Sequence, residues 1–132
     1  MDRRPVLVLG ATGYVGGRLV PLLYEAGYRV RAMGRSLPKL SSRPWAQHPS
    51  VELVEGDVLD LDSLKEACRG CWAAFYLVHS MHTAQKDFAE ADRRSARNMV
   101  AAAAHANMER IIYLGGLGNP DDPTLSDHLR SR

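Results

Sequence analysis

Apolar residues in the 132-residue chain occur either as short continuous runs or at every third or fourth position. Short apolar runs bounded by glycine, proline or polar residues predict buried strands, and the periodic stretches predict amphipathic helices. Because strands and helices alternate, the pattern predicts a three-layer α/β fold with a doubly wound parallel sheet, and we expect strand order 3-2-1-4-5. Five strands are predicted, at Val6–Leu9, Tyr28–Met33, Val51–Glu55, Trp72–Val78 and Glu109–Leu114.

Helices are predicted in the segments that separate these strands. They cover residues 14–26, one short turn after Ser36, residues 61–68 and residues 84–106. Gly27 and Gly70 are suitable C-terminal glycines, and Asp60 or Asp62 is a suitable N-cap. In the first helix Pro21 introduces a kink or is tolerated with local distortion. The face predicted to be buried in that helix comprises Val15, Leu19, Leu22, Leu23 and Ala26.

Three glycines, Gly10, Gly13 and Gly16, lie where the first strand turns into the first helix. Gly10 permits a tight turn, Gly13 lets the backbone approach a pyrophosphate, and Gly16 lets the helix approach the strand. The amides and dipole at the helix start would hold the phosphates. The pattern predicts a dinucleotide-binding loop, and the alternative is a turn whose glycines only relieve crowding. The predicted loop residues are Gly10, Thr12, Gly13, Tyr14, Val15 and Gly16.

The end of the second strand indicates which dinucleotide is bound. An NAD site usually places Asp or Glu there for the ribose 2′-hydroxyl. This chain has Gly34-Arg35-Ser36, about twenty residues past the glycine loop. Arg35 can pair bidentately with a 2′-phosphate, and Lys39 can add a point charge. NADP(H) is therefore favoured over NAD(H), and the alternative is that Arg35 is a solvated loop residue.

The segment Gly10-Ala11-Thr12-Gly13-Tyr14-Val15-Gly16 resembles the GATGxxG signature of extended and atypical short-chain dehydrogenases/reductases, including the NmrA-like proteins. The resemblance continues through residues 56–58, 76–79 and 110–116, and therefore covers nearly the whole chain. It implies a Rossmann domain that binds NAD(P) in an oxidoreductase. A nucleotide-sugar epimerase or dehydratase also follows from it, although no residue for a sugar nucleotide is visible.

Further cofactor contacts are expected at the carboxyl ends of the third and fourth strands, where doubly wound sheets bind ligands. In the family that the chain resembles, the residues matching Asp57 and Val58 border the adenine. The Asp57 carboxylate could accept a hydrogen bond from the adenine amino group, or it could only order the turn. His79 and His82 lack a carboxylate at matching spacing, so no metal site is predicted. The residues predicted to line the cofactor here are Asp57, Val58, Leu77, Val78 and His79.

Catalytic residues of this family would be Ser or Thr after the fifth strand, followed by Tyr-x-x-x-Lys on the next helix. Here the fifth strand is followed by glycines, and His128-x-x-x-Arg132 has the spacing of the Tyr–Lys pair. His128 could donate a proton near neutral pH and Arg132 could hold the ribose, or both are surface residues. Two hypotheses remain: an NADP(H)-dependent oxidoreductase with a non-standard active site, and a non-catalytic redox-sensor or regulatory module.

Charge and composition limit which classes of binding partner and which cellular location we expect. The formal net charge is +2 and the basic residues are scattered, so no nucleic-acid partner is indicated. No stretch predicts a membrane span or a signal peptide, and we expect a cytoplasmic protein. The pair Cys68 and Cys71 could be a redox pair or half a zinc site, but small buried side chains beside a turn are favoured.

The chain ends inside the last predicted helix. Residues 1–132 are therefore expected to form the NAD(P)-binding domain at the N-terminal part of a longer protein. A small-molecule substrate is expected, but its determinants are not visible. An open sheet edge would be covered by self-association into a homo-oligomer.

Overall fold

A computed structural model describes residues 4–78 and 85–114. Within these ranges, strands and helices alternate along the chain as the apolar pattern predicts. The strands are β1 (Val6–Leu9), β2 (Val30–Gly34), β3 (Val51–Glu55), β4 (Ala73–Tyr76) and β5 (Arg110–Tyr113). The helices are α1 (Tyr14–Glu25), α2 (Leu37–Ser41), α3 (Leu61–Cys68) and α4 (Gln85–His105).

The five strands form one parallel sheet in the order β3-β2-β1-β4-β5, which confirms the predicted α/β fold and strand order. β1 lies in the middle, where Val6 is in register with Val30 of β2 and Ala73 of β4. The chain runs outward from β1 to β3 and then returns to place β4 on the other side. This reversal makes a topological switch point, so a crevice opens beyond the carboxyl ends of β1 and β4.

Helices cover the two faces of the sheet, and successive residues of β1 alternate between them. Leu7 and Leu9 belong to the core shared with α3 and α4. Val6 and Val8 belong to the core shared with α1 and α2. All four side chains are buried, so β1 reads as a continuous apolar run rather than an alternating one.

The ends of the helices follow the predicted capping residues. Gly27 has a φ of 98° after α1, where its amide donates to the carbonyl of Tyr24 and the next amide donates to Leu23. This pair of bonds is a Schellman motif, which requires a left-handed residue at the glycine position. The side chain of Asp60 accepts from the Ser63 amide and caps α3, which decides between the two predicted caps.

The predicted buried face of α1 is wrong, and so are the bounds of several strands, including β4, which covers Ala73–Tyr76 rather than Trp72–Val78. Val15 and Leu22 of α1 are 44% and 62% exposed, whereas the side chains that α1 buries are Val20 and Leu23, together with Gly16. The reason is that α1 approaches the sheet through Gly16, which lies directly against the loop and sets the buried face. The second strand begins two residues later than predicted, because the preceding amides close the turn after α1.

Candidate dinucleotide-binding site

The glycine loop brings the end of β1, the start of α1 and the segment after β4 into contact. Gly10 has a φ of 84°, and a Cβ atom there would lie 3.0 Å from the carbonyl oxygen of Leu77. A Cβ atom on Gly16 would overlap the carbonyl oxygen of Gly10, and one on Gly13 would lie 3.3 Å from that same oxygen. The three glycines therefore let backbone segments approach more closely than any side chain would allow.

Backbone hydrogen bonds join the strand ends that surround this loop. The Ala11 amide donates to the Met33 carbonyl at 3.2 Å, and the Leu77 amide donates to the Leu9 carbonyl at 3.2 Å. The Gly56 amide donates to the carbonyl of Gly34 at 3.0 Å. The carboxyl edges of β3, β2, β1 and β4 are thus held in one row, with the glycine loop above the centre.

A cavity of about 300 Å³ opens along this edge. It brings together residues from the ends of four strands that are far apart in sequence. Arg35 is the charged member of the set, and no acidic side chain belongs to the lining among the described residues. The lining residues are Gly10, Thr12, Gly13, Met33, Gly34, Arg35, Gly56, Val58, Leu77 and Val78.

Three lining residues, Met33, Gly34 and Gly56, were not predicted as site residues. Gly34 ends β2 and Gly56 follows β3, so each occupies a place similar to that of Gly10 after β1. A Cβ atom at Gly34 would lie 3.4 Å from the Thr12 methyl group, and one at Gly56 would lie 3.1 Å from the Met33 sulfur. Glycine at the carboxyl end of consecutive predicted strands was the signal available in the sequence.

Among the described residues, the other predicted cofactor residues do not line this cavity. Tyr14 and Val15 are exposed on the first turn of α1, and Gly16 is buried behind the loop. Lys39 is exposed on α2, where its amide donates to the Ser36 hydroxyl. His79, together with the predicted catalytic pair His128 and Arg132, lies outside the described residues.

Asp57 and Val58 are held in place by two neighbouring helices. The Asp57 Oδ1 atom accepts from the Leu59 amide at 2.9 Å, so this carboxylate orders the turn before α3. Val58 is 5% exposed, and its carbonyl accepts from the Asn98 Nδ2 atom of α4 at 2.8 Å. Asn98 thus links α4 to the loop that borders the cavity, a contact which joins residues 40 positions apart.

The acidic side chain of Glu55 is in register with Gly34, the residue before Arg35, and has its own partner. Arg35 is exposed immediately after β2. Glu55 ends β3, and its Oε2 atom accepts from the Leu37 amide at the start of α2 at 3.2 Å. Its carboxylate is therefore engaged by the helix, and Glu55 is not part of the cavity lining.

The two cysteines lie away from this site, in the core between the sheet and α3–α4. Burial raises the pKa of Cys68 to about 12, with a contribution from Cys71, and burial raises the pKa of Cys71 to about 11. Thiols of this kind are protonated and unreactive near neutral pH, which fits small buried side chains rather than a redox pair. Among residues 4–78 and 85–114, no cluster of His, Cys, Asp and Glu is arranged to hold a metal.

A parallel sheet, a glycine loop at its switch point and a cavity along its carboxyl edge define a dinucleotide-binding α/β domain. The chain matches the family described as NAD(P)H-binding over residues 10–130, and it belongs to this family. The NAD(P)-binding domain of the short-chain dehydrogenase/reductase kind, expected from the resemblance, is confirmed. No helix in the described part of the chain is long and apolar enough to cross a membrane.

Several reductases are similar to this chain. Cinnamoyl-CoA reductase 1 of Petunia hybrida is 32% identical over 133 residues, covering 92% of this chain and 40% of the relative. A putative dihydroflavonol 4-reductase of Synechocystis is 40% identical over 111 residues, covering 80% of this chain and 31% of the relative. The chain therefore spans less than half the length of these relatives.

Solved structures show the same fold. Triphenylmethane reductase from Citrobacter sp., in its complex with NADP(H), superposes with a TM-score of 0.75 at 24% identity. That match covers 96% of this chain and 43% of the reductase. At this level of identity, the similarity supports a shared fold and no more than that.

Proposed function

We propose that this domain binds NADP(H) in preference to NAD(H), as the cofactor-binding part of an NADP(H)-dependent reductase. The observation that carries the proposal is the position of Arg35. It follows β2 and lines the same cavity as Gly10 and Gly13, without an acidic side chain in the described lining. A carboxylate at this place would hold a ribose 2′-hydroxyl and repel a 2′-phosphate, whereas a guanidinium favours the phosphate.

The remaining contacts follow from the shape of the cavity. The amides at the start of α1 would hold the pyrophosphate, because Gly13 leaves space for it to approach the backbone. Val58 would cover the adenine ring, beside the turn that Asp57 orders. Leu77 and Val78, after β4, would line the side of the cofactor that lies across the switch point from Arg35. Four further residues would complete the binding site, namely Tyr14 and Val15 around the loop, Lys39 near the 2′-phosphate and His79 after β4.

When bound, the nicotinamide of the cofactor would supply or accept a hydride. Proton transfer to or from the substrate would be the task of the protein, and we assign it to His128, with Arg132 holding the ribose. The substrate would be a small molecule with a carbonyl group or the corresponding alcohol, consistent with the reductase names of the relatives.

A non-catalytic redox-sensor or regulatory module is the second candidate. The observation in its favour is the sequence after β5, which has glycines in place of a hydroxyl residue and, in His128-x-x-x-Arg132, the spacing of Tyr-x-x-x-Lys without its residue types. Carbonyl reduction by the full-length protein, lost in a His128→Phe variant, would support the enzyme. Tight cofactor binding with no turnover on a panel of aldehydes and ketones would support the module.

Calorimetric titration of the chain with NADPH and NADH tests the cofactor preference. A charge-assisted hydrogen bond contributes about 1.5–3 kcal/mol, so Arg35→Ala should weaken NADPH binding roughly 10- to 100-fold. NADH binding should change little, because NADH lacks the 2′-phosphate. Arg29→Ala is the matched control, since Arg29 is an exposed arginine that precedes β2 rather than following it. Equal losses for both cofactors in Arg35→Ala, or no loss for either, would contradict the assignment.

A further inference from the structure

Two side chains from the segment after α2 bind the backbone of the glycine loop. The Nη2 atom of Arg43 donates to the Thr12 carbonyl at 2.6 Å. The Nε1 atom of Trp45 donates to the Gly17 carbonyl at 3.0 Å. One short segment, Arg43-Pro44-Trp45, therefore holds both the middle of the loop and the first turn of α1.

The Arg43 contact restrains a carbonyl that no regular element supplies with a donor. Thr12 lies between Gly10 and Gly13, in the part of the loop that lines the 300 Å³ cavity. The loop's own bonds join the Gly13 amide to the Gly10 carbonyl and the Ala11 amide to the Met33 carbonyl, and they leave the Thr12 carbonyl to Arg43. The guanidinium donor thus fixes the orientation of the peptide that follows Thr12, directly before the first turn of α1.

The position of Arg43 also separates it from the 2′-phosphate contact proposed for Arg35. Arg43 does not belong to the lining of the 300 Å³ cavity, and it lines a neighbouring cavity of about 780 Å³ instead. Its Nε atom is buried and has no hydrogen-bond partner within the described part of the chain. The bond to Thr12 therefore joins this side chain to the glycine loop rather than to the cavity that Arg35 lines.

Trp45 anchors the segment that contains Arg43 in the core. Its indole is 4% exposed within the core between the sheet and α1. The Arg43 amide donates to the Leu40 carbonyl at the end of α2, so the segment is anchored on both sides.

We propose that Arg43, supported by Trp45, is a positioning residue that holds the glycine loop in its pyrophosphate-binding conformation. The inference rests on the proposed function, because it assumes that the loop binds the cofactor pyrophosphate. Its consequence differs from that of Arg35. NADPH and NADH share the pyrophosphate, so loss of Arg43 weakens both cofactors by the same factor and leaves their affinity ratio unchanged.

The test is calorimetric titration of NADPH and NADH on Arg43→Ala, Arg43→Lys and Arg18→Ala. A hydrogen bond from a charged donor corresponds to roughly tenfold or more in affinity. Arg43→Ala should weaken both cofactors about tenfold, and Arg43→Lys, which keeps a donor for the Thr12 carbonyl, should recover part of the loss. Arg18→Ala is the matched control, because Arg18 lines the same 780 Å³ cavity but lies over the Tyr14 ring.

The outcomes distinguish the inference from the proposed function. A selective loss of NADPH binding in Arg43→Ala would overturn the inference, because it would mean a direct contact with the 2′-phosphate. Unchanged affinities would overturn it too, as would an equal loss in Arg18→Ala. Failure of the unmodified chain to prefer NADPH would instead contradict the assignment of Arg35.

If Arg43→Ala does not fold, Trp45→Phe provides the same test. This variant keeps an aromatic ring in the core and removes the donor to Gly17. A neutral hydrogen bond corresponds to roughly two- to tenfold in affinity, so both cofactors should bind about threefold more weakly with an unchanged ratio. Wild-type affinity for both cofactors in folded Trp45→Phe would refute the positioning role of this segment.

Discussion

Replacing Gly16 with alanine tests whether the glycine loop has the geometry described above. A Cβ atom at this position would overlap the carbonyl oxygen of Gly10 and would lie 2.9 Å from the Gly10 carbonyl carbon. Both atoms belong to the backbone, so a side-chain rotation cannot remove the overlap. Either α1 moves away from the sheet or the loop changes shape.

The expected change in the free energy of unfolding for Gly16→Ala combines two opposing contributions. Forcing an extra carbon into a close-packed site costs about 1–3 kcal/mol, and a backbone overlap belongs at the upper end of that range. Alanine recovers up to about 1 kcal/mol of helix propensity relative to glycine. The net loss in the free energy of unfolding should be about 2 kcal/mol, which lowers the melting temperature by roughly 5–10 °C in a domain of this size.

The adjacent Gly17 offers a matched control in the same helical turn. A Cβ atom there would meet the Ala11 carbonyl oxygen at 3.5 Å, an ordinary contact, so Gly17→Ala should be neutral or slightly stabilising. The assay is thermal unfolding by circular dichroism, with NADPH titration of each folded variant. If Gly16→Ala were as stable as Gly17→Ala and bound NADPH normally, the proposed close approach of α1 to the loop would be refuted.

Two further predictions concern the core and the sheet rim. In the folded chain the pKa values of Cys68 and Cys71 are raised from 9.0 to about 12 and about 11, so both thiols stay protonated at a pH where they ionise in the unfolded chain. The stability that this contributes is fully present below pH 9 and is lost as pH rises toward the raised pKa values. Urea unfolding between pH 8 and 10.5 should show a weaker decline in a Cys68→Ala/Cys71→Ala variant, and an identical decline would argue against this linkage. Arg31 donates to the carbonyls of Ala67 and Arg69 and to the exposed Glu52, so Arg31→Ala should cost about 1.5–3 kcal/mol in urea unfolding and Glu52→Gln less than about 1 kcal/mol. Equal costs for the two variants would contradict this assignment.

The fold could be predicted from the sequence because its signals are local. The bounds of β3 follow from apolar residues within a few positions, and the capping signal limits the start of α3 to Asp60 or Asp62. The strand order follows from the alternation of strands and helices and from the family resemblance. The end of β4 could not be fixed in the same way, since Leu77 and Val78 are as apolar as the strand but lie beyond its pairing with β5.

The site was only partly predictable, because some of its contacts join residues far apart in the sequence. The glycine loop and Arg35 carry recognisable patterns, and the structure brings both to one cavity. The contacts of Arg43 and Trp45 with the loop span 31 and 28 positions, and composition alone describes their segment as polar and rich in proline. Asn98 could not be predicted as a contact for the same reason. Helical periodicity predicts which face of α4 it lies on, but not its hydrogen bond to the Val58 carbonyl.

The most direct test of the central claim is the pKa of the cofactor's 2′-phosphate when NADP+ is bound, measured by phosphorus NMR across a pH titration. A phosphate monoester has a second pKa of about 6, and an adjacent guanidinium lowers it by favouring the dianion. We expect the bound 2′-phosphate to stay dianionic well below pH 6 in the unmodified chain, and to regain a pKa closer to that of free NADP+ in Arg35→Ala. A bound 2′-phosphate that titrates as it does in free NADP+, with or without Arg35, would contradict the account.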